Sequence, residues 1–384
     1  MSFKTQDDMV NWITNDILTF AVSLLLAGII IPQILLIAFR KKLFDEVDER
    51  KVHKGVVPRL GGIAFLPSIL FSLALVVGCN LRLISPDMWD VFVDSSVPIY
   101  FMVCAVLLMF LVGMADDLIG VRYMAKFIVQ ILSALLICAS GLYVNDLYGF
   151  LWLGELPGWF AFLVTAFAVV FIVNAINLID GIDGLASGLS TVALVFYAIV
   201  FYQGEDYIYS MLASAAVGTL LPFFYYNVFG NVKRQKKIFM GDTGALTTGM
   251  ILVFCAIAVI HIDESHFATD DYNPLIVALS PLVIPCFDVV RVYLHRVARH
   301  RNPFLPDKCH IHHKLLALGL NQRLALIVIL VCSMVFIIVN IILSPYFNPT
   351  AIIVADIIIW TVANMLLSKA IRNREKKLNV KLYD

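Results

Sequence analysis

Four short polar clusters interrupt the apolar runs of this chain, and their residue types could handle phosphate groups around a metal ion. Asp116 and Asp117 sit side by side at the end of one apolar run. Adjacent carboxylates in such a place repel and lose hydration, so they need a cation or a shared proton unless they simply face water at a helix end. Asn174, Asn177, Asp180 and Asp183 follow at intervals of three residues, interrupted by Gly181 and Gly184. In a helical or near-helical segment that interval keeps all four side chains near one face. Such a wall of oxygens suits Mg²⁺, which takes one or two protein ligands together with water and substrate phosphates; a capped helix end is the plainer reading.

The third cluster, Gly241-Asp242-Thr243-Gly244, opens another apolar run. Its glycines permit close backbone approach, and the free N–H groups at a helix start attract an anion. Asp242 is then either a helix cap or a metal ligand. The fourth, over 291–323, gathers Arg291, Arg296, Arg299, Arg301, Lys308 and Lys314 with His295, His300, His310, His312 and His313. Arginine grips phosphate with two donors, and imidazole donates to phosphate or carries a proton near neutral pH. Zinc is a poor rival, because only Cys309 lies nearby and no HExxH occurs. Attraction to anionic lipid is the bland alternative for a basic loop. Acids for a metal and a base, with Arg and His for phosphate, are together what phosphoryl transfer needs.

The elements that must position these groups are membrane helices. Of 384 residues, 61% are hydrophobic and 15% charged, with mean hydropathy +0.89, which excludes an ordinary soluble domain. Net charge is zero, so a basic nucleic-acid surface is excluded as well. The cysteines are scattered without a CxxC pair and read as small core hydrophobes. Runs long enough to cross a bilayer fall near 16–39, 61–79, 97–115, 126–144, 157–174, 185–202, 208–226, 243–262, 274–292, 323–344 and 350–369. The expectation is an all-α, polytopic protein of about eleven transmembrane helices in one domain over 1–384, with a short tail from 370. With this count every Lys and Arg except Lys4 and Arg82 falls on one side. The positive-inside rule then places the C-terminus in the cytoplasm and the N-terminus outside, with all four clusters on the cytoplasmic face. Acids gathered at helix ends, without an internal repeat, argue against a cation-coupled transporter, whose site would lie near the midplane.

Five motifs in order give the chain a family resemblance: His53-Lys54-Gly55 with Pro58-Arg59-Leu60-Gly61-Gly62, Asp116-Asp117, NAINLIDGIDGL from Asn174, GDTGAL from Gly241, and PFLPDKCHIHHKLL from Pro303. It resembles the polyprenyl-phosphate N-acetylhexosamine-1-phosphate transferases, the glycosyltransferase 4 superfamily, and its histidine motif looks like the WecA/TagO branch more than the related MraY branch. The resemblance implies transfer of N-acetylglucosamine 1-phosphate from UDP-GlcNAc to undecaprenyl phosphate, with release of UMP, as the first lipid-linked step of cell-envelope polysaccharide synthesis. Another UDP-N-acetylhexosamine, or UDP-MurNAc-pentapeptide, is the alternative donor. It further implies Mg²⁺, for which Mn²⁺ can substitute, on Asn177 and Asp242. Asp116 or Asp117 would deprotonate or hold the lipid phosphate, with a slight preference for Asp117. Asn174, Asp180 and Asp183 would support the nucleotide or the metal. Arg299, Arg301, His310, His312 and His313 would bind diphosphate and sugar, and Lys54 and Lys126 would be counter-ions of the lipid phosphate. The implied setting is the bacterial cytoplasmic (inner) membrane, among membrane lipids, with a homodimer as a candidate assembly.

Overall fold

The computed structural model describes residues 6–43, 56–83, 87–262, 272–300 and 309–383, and the description below is of these. They fold into helices with no sheet; the one β-bridge joins Asp146 to Glu155. In chain order these are α1 (Gln6–Lys41), α2 (Phe65–Leu83), α3 (Asp87–Ile119), α4 (Tyr123–Ala139), α5 (Gly158–Ile179), α6 (Leu185–Gln203), α7 (Tyr207–Phe224), α8 (Gly241–Ile260), α9 (Pro274–Leu279), α10 (Val283–Ala298), α11 (Ile311–Ala317), α12 (Gln322–Leu343) and α13 (Pro349–Leu378). Ten segments are long and apolar enough to cross a membrane, α9 and α10 together making one of them. The protein is therefore an all-α, multi-pass membrane protein.

The expected span at 126–144 is the exception. Its helix, α4, has only 17 residues and ends at Ala139, ahead of a turn in which Gly141 takes φ +95°. At 1.5 Å per residue it is about 25 Å long, short of a hydrocarbon core of about 30 Å. It nevertheless traverses the bundle. Lys126 at its start touches Asp242 at the start of α8, while Tyr143 beyond its end touches His261 beyond the end of α8.

Helix α8 is the axis of the molecule: every residue from Thr243 to Ile260 is buried. It packs against α3, α5, α6 and α9. Without a hydrophobic force between helices in lipid, such packing relies on close backbone approach at small residues. Gly249 lies against the backbone of Val173 on α5, and Gly113 on α3 lies against that of Thr243. The outer helices α12 and α13 keep large apolar side chains exposed, among them Ile338, Ile342, Ile358 and Leu366, where a bilayer is the natural solvent. No disulfide forms among the described residues; Cys138, Cys255 and Cys309 are buried as expected, but Cys79 on α2, Cys104 on α3 and Cys332 on α12 are exposed.

Candidate active site

The C-terminal ends of α3 and α5 meet the N-terminal ends of α4 and α8 at one end of the bundle. A backbone clamp holds them there. Gly61 N–H donates to Phe239 O (3.0 Å), Gly62 N–H to Met240 O (3.0 Å), and Phe239 N–H to Pro58 O (2.9 Å). A Cβ on Gly62 would overlap the backbone of Gly244, so the paired glycines of the PRLGG motif are required by this approach.

Asp117 caps α8 from another helix. Its carboxylate accepts from Asp242 N (2.8 Å) and Thr243 N (2.8 Å), two N–H groups otherwise orphaned at a helix start, and from the hydroxyl Thr243 Oγ1 (2.6 Å). Asp242 is thus not its own helix's cap, and its carboxylate is turned outward. Gly241 reaches this geometry with φ +71°, where a side chain would also strike Asp117.

Lys126 joins the two remaining carboxylates. Its Nζ lies 3.0 Å from Asp116 Oδ2 and 2.7 Å from Asp242 Oδ2, and the second oxygen of Asp116 accepts Val121 N–H (2.6 Å). All three side chains keep part of their surface open, 18% for Asp116, 25% for Lys126 and 28% for Asp242, so incoming groups can reach them. Asn177 hydrogen-bonds Asp242 from the end of α5.

The run from Asn174 to Asp183 does not form one face, contrary to the reading of its spacing. Helix α5 stops at Ile179, because Asp180 takes ψ 56° and Gly181 follows. Asn174 is spent in a reciprocal amide pair with Gln130 of α4, at 2.7 and 3.3 Å. Asp183 pairs with buried Lys237 at 2.5 Å, fastening the 180–184 turn to the strand-like segment before α8. Asn227 supports the same junction, accepting from Gly184 N (2.6 Å) and donating to Ile238 O (2.8 Å). Only Asn177 and Asp180 of the four are left toward the cleft. Asp180 is open to solvent, yet the surrounding protein strips part of its hydration. That loss and the nearby charges of Asp183, Asp242 and Asp117 push its carboxyl up to about 7, although Arg59 opposes them.

The histidine motif closes the site from the far end of the sequence. His312 is 1% exposed, and its ring lies so close to Gly181 that a Cβ there would overlap it. Neither ring nitrogen has a hydrogen-bond partner among the described residues. Burial, with His313 and His310 beside it, holds its imidazole down to about 3, so it is neutral at pH 7. His310 stacks parallel to it at 5.7 Å and His313 tilts against it at 4.2 Å. A buried imidazole with two unmet nitrogens is expected to find a partner when the cleft is filled. Arg299 is exposed at the end of α10, and no described contact joins it to the cleft. Lys54 and Arg301 lie outside the described residues.

Sequence reasoning missed several residues that build this site. Gln130, Asn227 and Lys237 orient the α5 end, and Asp288, fully buried on α10, accepts His310 Nδ1 at 2.8 Å. An acid inside an apolar span was the available signal for Asp288; Gln130 and Asn227 carried none beyond being polar.

The donor set fits a small hard cation. Asp242 offers carboxylate oxygen and Asn177 amide oxygen. No three His, Cys, Asp or Glu converge on one point among the described residues, so a cation here would need further oxygens from water and a bound phosphate.

Residues 99–260 match the family glycosyl transferase family 4. The chain is 31% identical over 331 residues, covering 85% of each sequence, to the probable undecaprenyl-phosphate N-acetylglucosaminyl 1-phosphate transferase of Bacillus subtilis. It is 30% identical to the undecaprenyl-phosphate alpha-N-acetylglucosaminyl 1-phosphate transferase of Yersinia pestis, and 28% to that of Escherichia coli, over 76% of this chain and 74% of each relative.

Proposed function

The chain belongs to glycosyl transferase family 4, and from that premise we propose that it transfers N-acetylglucosamine 1-phosphate from UDP-GlcNAc to undecaprenyl phosphate. An oxygen of the acceptor phosphate bonds to the phosphorus that carries the sugar. The bridging P–O bond to UMP breaks, leaving undecaprenyl-diphosphate-GlcNAc. The observation that carries this reading is the meeting of Asp116, Lys126, Asn177, Asp242 and His312 at one end of an apolar bundle. A lipid can present its phosphate there from the membrane while a nucleotide enters from water.

Asp242 and Asn177 would hold Mg²⁺, with Mn²⁺ as a substitute; when bound, the ion neutralises the donor diphosphate. Lys126 receives the acceptor phosphate, and Lys54 adds a second positive charge. Asp116 takes the acceptor's proton and orients it for attack. We assign this role to Asp116 in preference to Asp117, because the Asp117 carboxylate is engaged by three donors at the start of α8. His310, His312 and His313, with Arg299 and Arg301, bind diphosphate and sugar. Asp180 supports the nucleotide, while Asn174 and Asp183 act by positioning the end of α5. Two anionic phosphates approach each other in this reaction, and fixed donors placed around them remove much of the repulsion. The site then faces the cytoplasm of a bacterial inner membrane, where the reaction begins a lipid-linked envelope polysaccharide.

The test uses purified protein in detergent with undecaprenyl phosphate, Mg²⁺ and a panel of UDP-sugars, scored by UMP release. UMP from UDP-GlcNAc, lost on chelation, is the expected result. UMP only from UDP-MurNAc-pentapeptide would overturn the donor assignment, and none from any donor in folded protein would overturn the reaction.

A further inference from the structure

The histidine helix α11 is too short to hold its own position, and most of what fixes it comes from the C-terminal end of the chain. On its α10 side, fully buried Asp288 accepts three donors: His310 Nδ1 (2.8 Å), Ile311 N (3.0 Å) and Arg291 Nη2 (2.8 Å). Arg291 also donates to Cys309 O at 2.5 Å. His310 is thereby tied through Nδ1, and its Nε2 edge is turned away from α10.

The other side is held by α13 and the residues after it. Lys314 Nζ reaches Asn364 Oδ1 (3.0 Å) and Ser368 Oγ (3.1 Å), and Arg374 Nη1 donates to Ala317 O (3.1 Å) while its guanidinium lies against Gly319. The chain then reverses at Asn379, which takes φ 52°. Glu375 Oε1 receives the N–H groups of Leu382 (2.8 Å) and Tyr383 (3.0 Å), folding the last residues back along α13. This delivers the Tyr383 hydroxyl to Cys309 O at 2.7 Å, the carbonyl immediately before His310, with the ring 5.9 Å from Lys314 Nζ.

We propose that residues 379–383 are a strap that sets the donor-binding histidines, with Tyr383 a positioning residue acting through the backbone of Cys309 and His310. The inference rests on the proposed function, in which those histidines bind the UDP-sugar. Cys309 O takes one donor from Arg291 and one from the strap, so loss of the phenol removes the strap's hold on the residue before His310 while the Lys314 and Arg374 contacts to α13 remain. The acceptor phosphate meets Asp116 and Lys126 on other helices and does not depend on the strap.

The experiment uses full-length protein in detergent. Tyr383→Phe keeps the ring and removes the hydroxyl; it is expected to raise KM for UDP-GlcNAc about fivefold, the effect of one lost hydrogen bond, with kcat and the acceptor KM near wild type. Glu375→Ala, which frees the backbone of Leu382 and Tyr383 from α13, is expected to do the same, and the double variant to match either single one because both break one device. Amide hydrogen exchange over 309–316 is expected to rise in each variant while α8 is unchanged. Wild-type exchange in both variants would overturn the strap, as would equal increases in both substrates' KM. The exchange arm needs no turnover, so a wild-type protein that released no UMP would refute the proposed reaction while the strap was still being tested.

Discussion

Substituting Asp117 by Asn separates the two neighbouring acids by role. The Asp117 carboxylate accepts two backbone N–H groups and the Thr243 hydroxyl at the start of α8. Asparagine offers one oxygen and one NH₂, so at least one donor loses its partner and faces another donor. A hydrogen bond to a charged acceptor contributes about 1.5–3 kcal/mol, and the charge at a helix N-terminus about 0.3–1 kcal/mol. One lost bond with the lost charge therefore costs about 2–4 kcal/mol. With about 2 cal/mol/K of unfolding entropy per residue over 384 residues, the melting temperature should fall by about 3–5 °C. Turnover should also fall about a hundredfold, because α8 carries Asp242 and small misplacements are expensive. Asp116→Asn is the contrast: its partners are Val121 N–H, the part-exposed Lys126 and the part-exposed Asp242 carboxyl. Its melting temperature should move by about 1 °C or less, while turnover drops by about two to four orders of magnitude. The assays are thermal unfolding by circular dichroism in detergent and UMP release. An Asp117→Asn protein that melts like wild type, beside an Asp116→Asn protein that loses several degrees, would refute the division of labour.

Asp242→Ala should abolish UMP release with the fold retained, checked by circular dichroism; a magnesium-dependent, active variant would remove Asp242 from the metal site. Gly181→Ala should raise KM for the UDP-sugar at least tenfold, a change of about 1.4 kcal/mol, because the new methyl overlaps the His312 ring; steady-state kinetics with both substrates varied would check it. His312 has its folded pKa lowered from 6.5 to about 3. The unfolded chain therefore binds a proton there that the folded chain refuses, and stability is lost as pH falls below about 6.5. The loss should be about 2 kcal/mol by pH 5. His312→Gln should flatten the melting temperature between pH 7 and pH 5; an unchanged slope would count against a buried neutral imidazole.

Much of this molecule could be read before its structure. The apolar runs marked the ten long spans because a bilayer leaves a segment of about 20 residues little choice but a helix. The short helix α4 was harder, since its apolar stretch continues in sequence past Ala139 while Gly141 ends it in space. The period of three in Asn174–Asp183 was a true pattern with a false geometry. A helix would have aligned those side chains, but Gly181 is where the chain must thin to admit His312, and the helix stops just before it. Asp288 shows in the sequence only a neighbouring Arg291 at i+3, an ordinary helix pair; the partners that tie it to the site, His310 and Ile311, lie beyond a loop. Tyr383 was invisible for the same reason: its partner is a backbone carbonyl, which has no sequence signature.

The arrangement around α8 explains why fold and chemistry are hard to separate here. Its first turn receives the Asp117 cap from α3, lies against the 58–62 clamp through Gly62 and Gly244, and is met by Asn177 and Lys126. Each contact that orders the turn also fixes where the Asp242 carboxylate points. Substitutions whose lost partners are backbone groups, such as Asp117→Asn, should therefore lower stability and turnover together. Those that keep their backbone partner and lose only part-exposed side chains of the cleft, such as Asp116→Asn, whose amide oxygen can still accept Val121 N–H, should lower turnover alone. Lys126 is the informative intermediate, since its ammonium holds Asp116 and Asp242 at 3.0 and 2.7 Å. Lys126→Met would leave two facing carboxylates without a counter-charge, so Mg²⁺ should bind more tightly while the acceptor phosphate binds less well. Metal titration of the variant's thermal stability would show the first effect and acceptor KM the second. Weaker metal binding with an unchanged acceptor KM would mean that Lys126 braces the site and does not receive the lipid phosphate.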